Sequence, residues 1–168
     1  MKLLLLFATA LGLWVVGCEP PLEEAIAPGM VVDVGPEEHL VYRPEDVDWQ
    51  DGPASLESGA MYAVLEGDLD RSEVFTMQIK MPDGFQIAPH WHPNVERVTV
   101  LSGVFYLGSG DEMDMDAAER LEAGTYTSMP PEMRHYAFTE GRTIIQLTTI
   151  GPWVINYLNP EDDPRLRD

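Results

Sequence analysis

Between residues 60 and 158 the chain never keeps one pattern for long. Apolar and polar residues alternate over five to eight positions, and a turn-forming cluster then interrupts them. Alternation of this kind gives each segment one face for a core and one for solvent, as in a half-buried β-strand. The candidate strands are 60–66, 73–80, 95–101, 103–108, 123–129, 135–139, 143–150 and 153–158. The breakers between them include Glu66-Gly67-Asp68, Pro82-Asp83-Gly84, Pro130-Pro131 and Glu140-Gly141. Many short strands with turns every eight to twelve positions predict an all-β sandwich or barrel. No long stretch holds a 3.6-residue period, and only 115–121 reads as a short helix or a turn. No internal repeat or second domain is visible.

The chain has 168 residues, 45% of them hydrophobic, which suits one core of ordinary domain size and excludes a disordered acidic tail. Its formal charge of −19 repels phosphate backbones, so nucleic acid is not an expected partner. Cys18 is the single cysteine; it allows no intramolecular disulfide and no thiolate metal cage. Behind Lys2, residues 3–16 form an apolar run of 14, the layout of a secretory signal. The run falls short of the roughly 20 residues a membrane span needs, and a Pro/Glu-rich stretch follows it instead of a cationic stop. Val15-Val16-Gly17-Cys18 resembles the lipobox of bacterial lipoproteins. The resemblance implies a signal peptide over 1–17, cleavage before Cys18, and acyl chains on the Cys18 sulfur and the new amino terminus. Several chains anchor stably where one does not. With Glu19, not Asp, after the cysteine, the resemblance implies the outer membrane facing the periplasm in a two-membrane host. The mature chain, without Lys2, sets 29 acidic residues against nine basic ones, a charge of −20. Residues 18–40 read as an acidic, Pro-rich linker on this lipid anchor, with 30–32 and 39–42 apolar enough to pack as an N-terminal strand instead.

Three of the four histidines fall in one arrangement with a carboxylate. His90 and His92 stand two apart, so on a strand both side chains face the same way. Pro93-Asn94 turns the chain, Glu96 can re-enter beside them, and His135 follows 39 residues after Glu96, beyond Pro130-Pro131. Three imidazoles and a carboxylate suit one divalent first-row metal with positions left for water or substrate. Trp91, between the histidines, is expected on the opposite face. Tyr126, Met129, Tyr136 and Phe138 are candidates for either the pocket wall or the core, while Ala137 and Thr139 share the parity of His135. The acidic stretch 111–116 lacks the spacing and central glycine of a calcium loop and reads as solvated.

The segment from Gly84 through His90, His92 and Glu96 to Gly103 resembles the first motif of the cupin superfamily, G-x5-H-x-H-x3-E-x6-G, at every fixed position. After a spacer over 104–123, Gly124, Pro130 and His135 are similar to the second motif, G-x5-P-x-G-x2-H-x3-N. Glu132 and Thr139 depart from it, standing for the second glycine and the asparagine. The departures touch turn geometry, not the metal ligands. The resemblance covers about 58–158 and implies a double-stranded β-helix, the jelly-roll barrel, as a single cupin domain over 41–160. It also implies a metal held by His90, His92, Glu96 and His135, and residues 161–168 are left as an acidic tail.

Cupin barrels serve many reactions, so fold does not settle function. The ligand set points to a metalloenzyme acting on a small molecule, of dioxygenase, isomerase or lyase type. The alternative is a non-catalytic metal- or ligand-binding envelope lipoprotein or sensor. Ligand geometry favours Mn, Fe or Ni, whereas loading outside the cytoplasm favours Zn or Cu, so the metal stays open. No catalytic proton-transfer group is assigned; Tyr126 and Glu132 are the first to test. The expected partners are a small molecule and, through the lipid alone, a membrane; a homodimer is compatible with the sequence.

Overall fold

Strand β3 (Val74–Met81) sets the pattern of the molecule, with Phe75, Met77, Ile79 and Met81 buried and the residues between them half-exposed. This period-2 burial is the alternation seen in the sequence, and it recurs along the second half of the longest strand, β8 (His135–Ile150). The computed structural model describes residues 38–167. The signal peptide over 1–17, Cys18, nearly all of the linker and the apolar stretch 30–32 lie outside the described residues. Residues 39–42 are exposed and form no strand.

The remaining strands are β1 (Gln50–Asp51), β2 (Met61–Glu66), β4 (Gln86–Trp91), β5 (Glu96–Ser109), β6 (Glu119–Glu122), β7 (Tyr126–Met129) and β9 (Asn156–Tyr157). All pair antiparallel in one curled sheet that forms a jelly-roll barrel. β5 and β8 run side by side from Arg97↔Thr148 to Ser109↔His135. The other edge of β8 carries β3 and then β4, and the other edge of β5 carries β7 and then β6. The core fills the interior with Phe75, Met77, Ile79, Val98, Val100, Ile145 and Leu147.

Several boundaries differ from the sequence reading. The segments 95–101 and 103–108 are one strand, as are 135–139 and 143–150. Gly103 and Gly141 take positive φ (78° and 70°), but the ladder continues past them as a bulge and a bend. Segment 123–129 is two pieces, a turn and then β7, while 115–121 is a turn leading into β6, with Asp114 Oδ1 accepting from the amides of Asp116 and Ala117. Residues 161–167 are not a loose tail. Two 3-10 turns, Pro160–Asp162 and Pro164–Leu166, flank a buried Asp163, whose carboxylate pairs with Arg165 while Arg165 also donates to the Ile155 carbonyl.

Candidate functional site

β4 delivers His90, and His92 follows just past its end; His90 lies directly opposite His135 at the start of β8. Glu96 opens β5. All four side chains are buried. The ring centroids of His90 lie 4.2 Å from His135 and 4.9 Å from His92. One ligand-capable nitrogen from each of the three histidines falls within 4.8 Å of the other two, so these three buried residues can hold a metal ion.

The backbone fixes the tautomers. His90 Nδ1 donates to the Ala88 carbonyl at 2.7 Å, His92 Nδ1 to Val154 at 2.8 Å, and His135 Nδ1 to Met133 at 2.9 Å. With Nδ1 committed as donor, a neutral ring keeps its lone pair on Nε2. Glu96 Oε1 lies 3.5 Å from His92 Nε2, and Oε2 lies 3.7 Å from His135 Nε2, both longer than a hydrogen bond. Lone pairs therefore face a carboxylate across a gap that a cation would bridge.

Burial, with His135 and His92 beside it, pushes the pKa of His90 down to about 3. Burial alone would raise Glu96, but the neighbouring His92, His135 and His90 hold it down at about 2. Both shifts act in one direction on the metal-free fold. The unfolded chain takes up His90's proton below its ordinary 6.5 and Glu96's below its ordinary 4.5, while the folded chain resists both. Stability is therefore full above 6.5 and lost as pH falls from there toward 3. The loss is expected to approach about 1 kcal/mol per pH unit between pH 6 and 4.5, and urea unfolding of metal-free wild type and His90→Gln checks it. An unchanged slope in the variant would contradict the assignment.

The cluster borders a cavity of about 30 Å³ lined otherwise by apolar side chains, among them Ile87, Val98, Met129, Ala137, Leu147 and Trp153. Of the four candidate wall residues only Met129 reaches it. Tyr126 is 59% exposed on β7. Tyr136 and Phe138 have the opposite parity to His135: Tyr136 Oη donates to the Asp114 carbonyl, and Phe138 stacks on Tyr106. Tyr126 and Glu132, named above as proton-transfer candidates, do not line the cavity, whereas Ala137 does, and Trp91 points elsewhere. Thr139 is structural. Its hydroxyl donates to the Pro82 carbonyl and accepts from the Phe85 amide, tying β8 to the turn before β4. Trp153, whose ring lies parallel to His92 at 6.2 Å, entered the sequence reading only as the first residue of the candidate strand 153–158.

Glu132 explains its own departure from the motif. Among the described residues it is the one non-glycine with positive φ, 62°, in a turn whose amide donates to the His92 carbonyl. A left-handed residue with a Cβ is strained. Glu132→Gly is therefore expected to raise stability by about 0.5–1 kcal/mol, read as a higher urea midpoint.

A family model described as the ChrR cupin-like domain matches residues 37–153. No curated protein matches the chain in sequence. Among solved structures, the polyketide cyclase RemF from Streptomyces resistomycificus is similar at a TM-score of 0.62 and 16% identity, over 76% of this chain and 91% of that one. An acetylacetone dioxygenase from Acinetobacter johnsonii is similar at 0.58 and 16%, over 76% and 82%. An RmlC-like cupin from Shewanella frigidimarina is similar at 0.51 and 18%, over 74% and 96%. At these identities the likeness is one of fold.

Proposed function

Because the chain belongs to the ChrR cupin-like domain family, we propose that it is an exported, lipid-anchored metal-binding cupin that acts as a metalloenzyme on a small molecule. His90, His92, His135 and Glu96 hold one divalent transition metal ion, drawn from Mn, Fe, Ni, Zn or Cu. What supports this most is the set of three Nδ1–carbonyl bonds, which leave Nε2 as the free nitrogen on three clustered rings beside a buried carboxylate. The donor set fits such an ion: three neutral nitrogens and one anionic oxygen leave a net charge of +1, less costly to bury than a dication. A bound metal supplies Lewis acidity toward a water or small ligand beside it. Glu96 balances charge, the three backbone carbonyls hold the rings, and the aliphatic wall excludes water. The acyl groups on Cys18 anchor the domain to the cell envelope, facing the periplasm where the host has two membranes.

One observation favours the second reading, a non-catalytic metal-binding lipoprotein or sensor. Apart from the four cluster residues, no titratable side chain among the described residues lines the cavity. The test is to express the full chain in a bacterial host, measure metal per chain by elemental analysis, and compare membrane fractionation with Cys18→Ala. About one metal per chain and a Cys18-dependent membrane fraction are expected. An absence of metal under several loading conditions would sink the metal site. Turnover of catechols, keto acids or sugars by the loaded protein would decide for the enzyme over the binder.

A further inference from the structure

We propose that Trp153 is the gate of the histidine cavity and sets the size of molecule that reaches it. The cavity, about 30 Å³, has room for one or two water-sized molecules and no more. Most of its wall is strand side chains that belong to the core, among them Ile79, Val98, Ile145 and Leu147. Trp153 borders both this cavity and an outer groove of about 510 Å³ lined by Pro53, Ser55, Tyr62, Leu69 and Asp70.

The backbone at Trp153 is held by hydrogen bonds, whereas its ring is held by packing alone, against the core and His92. The Trp153 amide donates to the Leu69 carbonyl at 2.8 Å, and the next carbonyl, of Val154, accepts from His92. The indole Nε1, by contrast, is buried without a hydrogen-bond partner. A buried unpaired donor costs about 1–3 kcal/mol, so nothing polar latches the ring shut, and an acceptor on an entering molecule would recover part of that cost. Residue 153 lies between β8 and β9, outside any ladder, so rotating its side chain breaks no strand pairing. Leu56 also borders the cavity and a second groove, but it is buried within the core cluster. With the indole in place the site admits water or a diatomic molecule; a keto acid or a ring requires the indole to swing out.

This inference rests on the cavity being the working site, yet its test needs no metal. The metal-free full chain is treated with diethyl pyrocarbonate, and modification of each histidine is followed by mass spectrometry, with exposed His39 as the internal reference. In the wild type, His90, His92 and His135 should react more slowly than His39 by at least about tenfold. Trp153→Ala should accelerate all three by about tenfold or more, Trp153→Phe by less, and Leu56→Ala should leave them unchanged. Circular dichroism and the urea transition accompany each variant. If Trp153→Ala does not fold, acceleration in a folded Trp153→Phe supports the gate and its absence overturns it. Wild-type histidines as reactive as His39, unaccelerated folded variants, or an equal effect from Leu56→Ala would also overturn it. A wild type that never takes up metal defeats the metal reading and leaves this result standing.

Discussion

Replacing His135 by alanine is expected to weaken metal binding by more than about 100-fold, since even residues that only support a ligand are worth 10–100-fold. His135 supplies one of three nitrogens within 4.8 Å of one another and also faces Glu96. Two imidazoles and a carboxylate would remain, a set that still binds an ion but more weakly once the nitrogen facing Glu96 is gone. The measurement is the metal-induced rise in Tm. At a metal concentration of about 1,000 times Kd, the wild type gains about 4 kcal/mol, on the order of 10 °C for a domain of this size. His135→Ala should show about a third of that rise or less. Glu96→Gln separates charge from shape, because it keeps the side-chain volume and its amide can donate to His92 or His135. The variant should fold normally without metal and bind metal about 10–100-fold more weakly. A full metal-induced shift in His135→Ala would remove the histidines from the site.

Gly103→Ala is expected to cost about 3–5 kcal/mol, the sum of a strained left-handed residue and an overpacked contact. Gly103 sits inside β5 at φ 78°, where the register with β8 shifts. A Cβ there would lie 2.6 Å from the Arg142 carbonyl oxygen, 2.7 Å from Thr143 Cα and 2.5 Å from Thr143 Oγ1. Two of these contacts are backbone and cannot move aside. The third atom is committed as well: Thr143 Oγ1 donates to the Val104 carbonyl. Gly124→Ala is the control, with positive φ (92°) but open space around it, and should cost only about 1 kcal/mol. Urea midpoints of the two variants give the comparison; equal costs would show that crowding at the β5–β8 bulge is unimportant.

The two glycines also show where reading the sequence stopped. Gly103 and Gly141 looked like strand ends, because a positive-φ glycine serves a turn and a bulge equally well. Only the partner strand, which lies more than 35 residues away across β5–β8, tells them apart. The histidines were easier. A two-residue spacing in extended chain carries its geometry locally, and the structure brings the three histidines within reach of one another with Glu96 3.5–3.7 Å from two of them. The pocket wall was harder, since Tyr126, Tyr136 and Phe138 are as apolar as any lining residue and only strand parity sends them elsewhere.

By itself the sequence determined the fold class, through its period-2 segments, and singled out the candidate donors, through the spacing of His90, His92 and Glu96. Both are local: they depend on which face of a strand a residue occupies, and a period of two decides that without reference to the rest of the chain. The tertiary structure alone decided which carbonyls fix the imidazole tautomers, how small the cavity is, and that Trp153 borders it. These depend on contacts between segments far apart in sequence, His92 with Val154 and Trp153 with Leu69, and no local pattern encodes which distant backbone a side chain will meet.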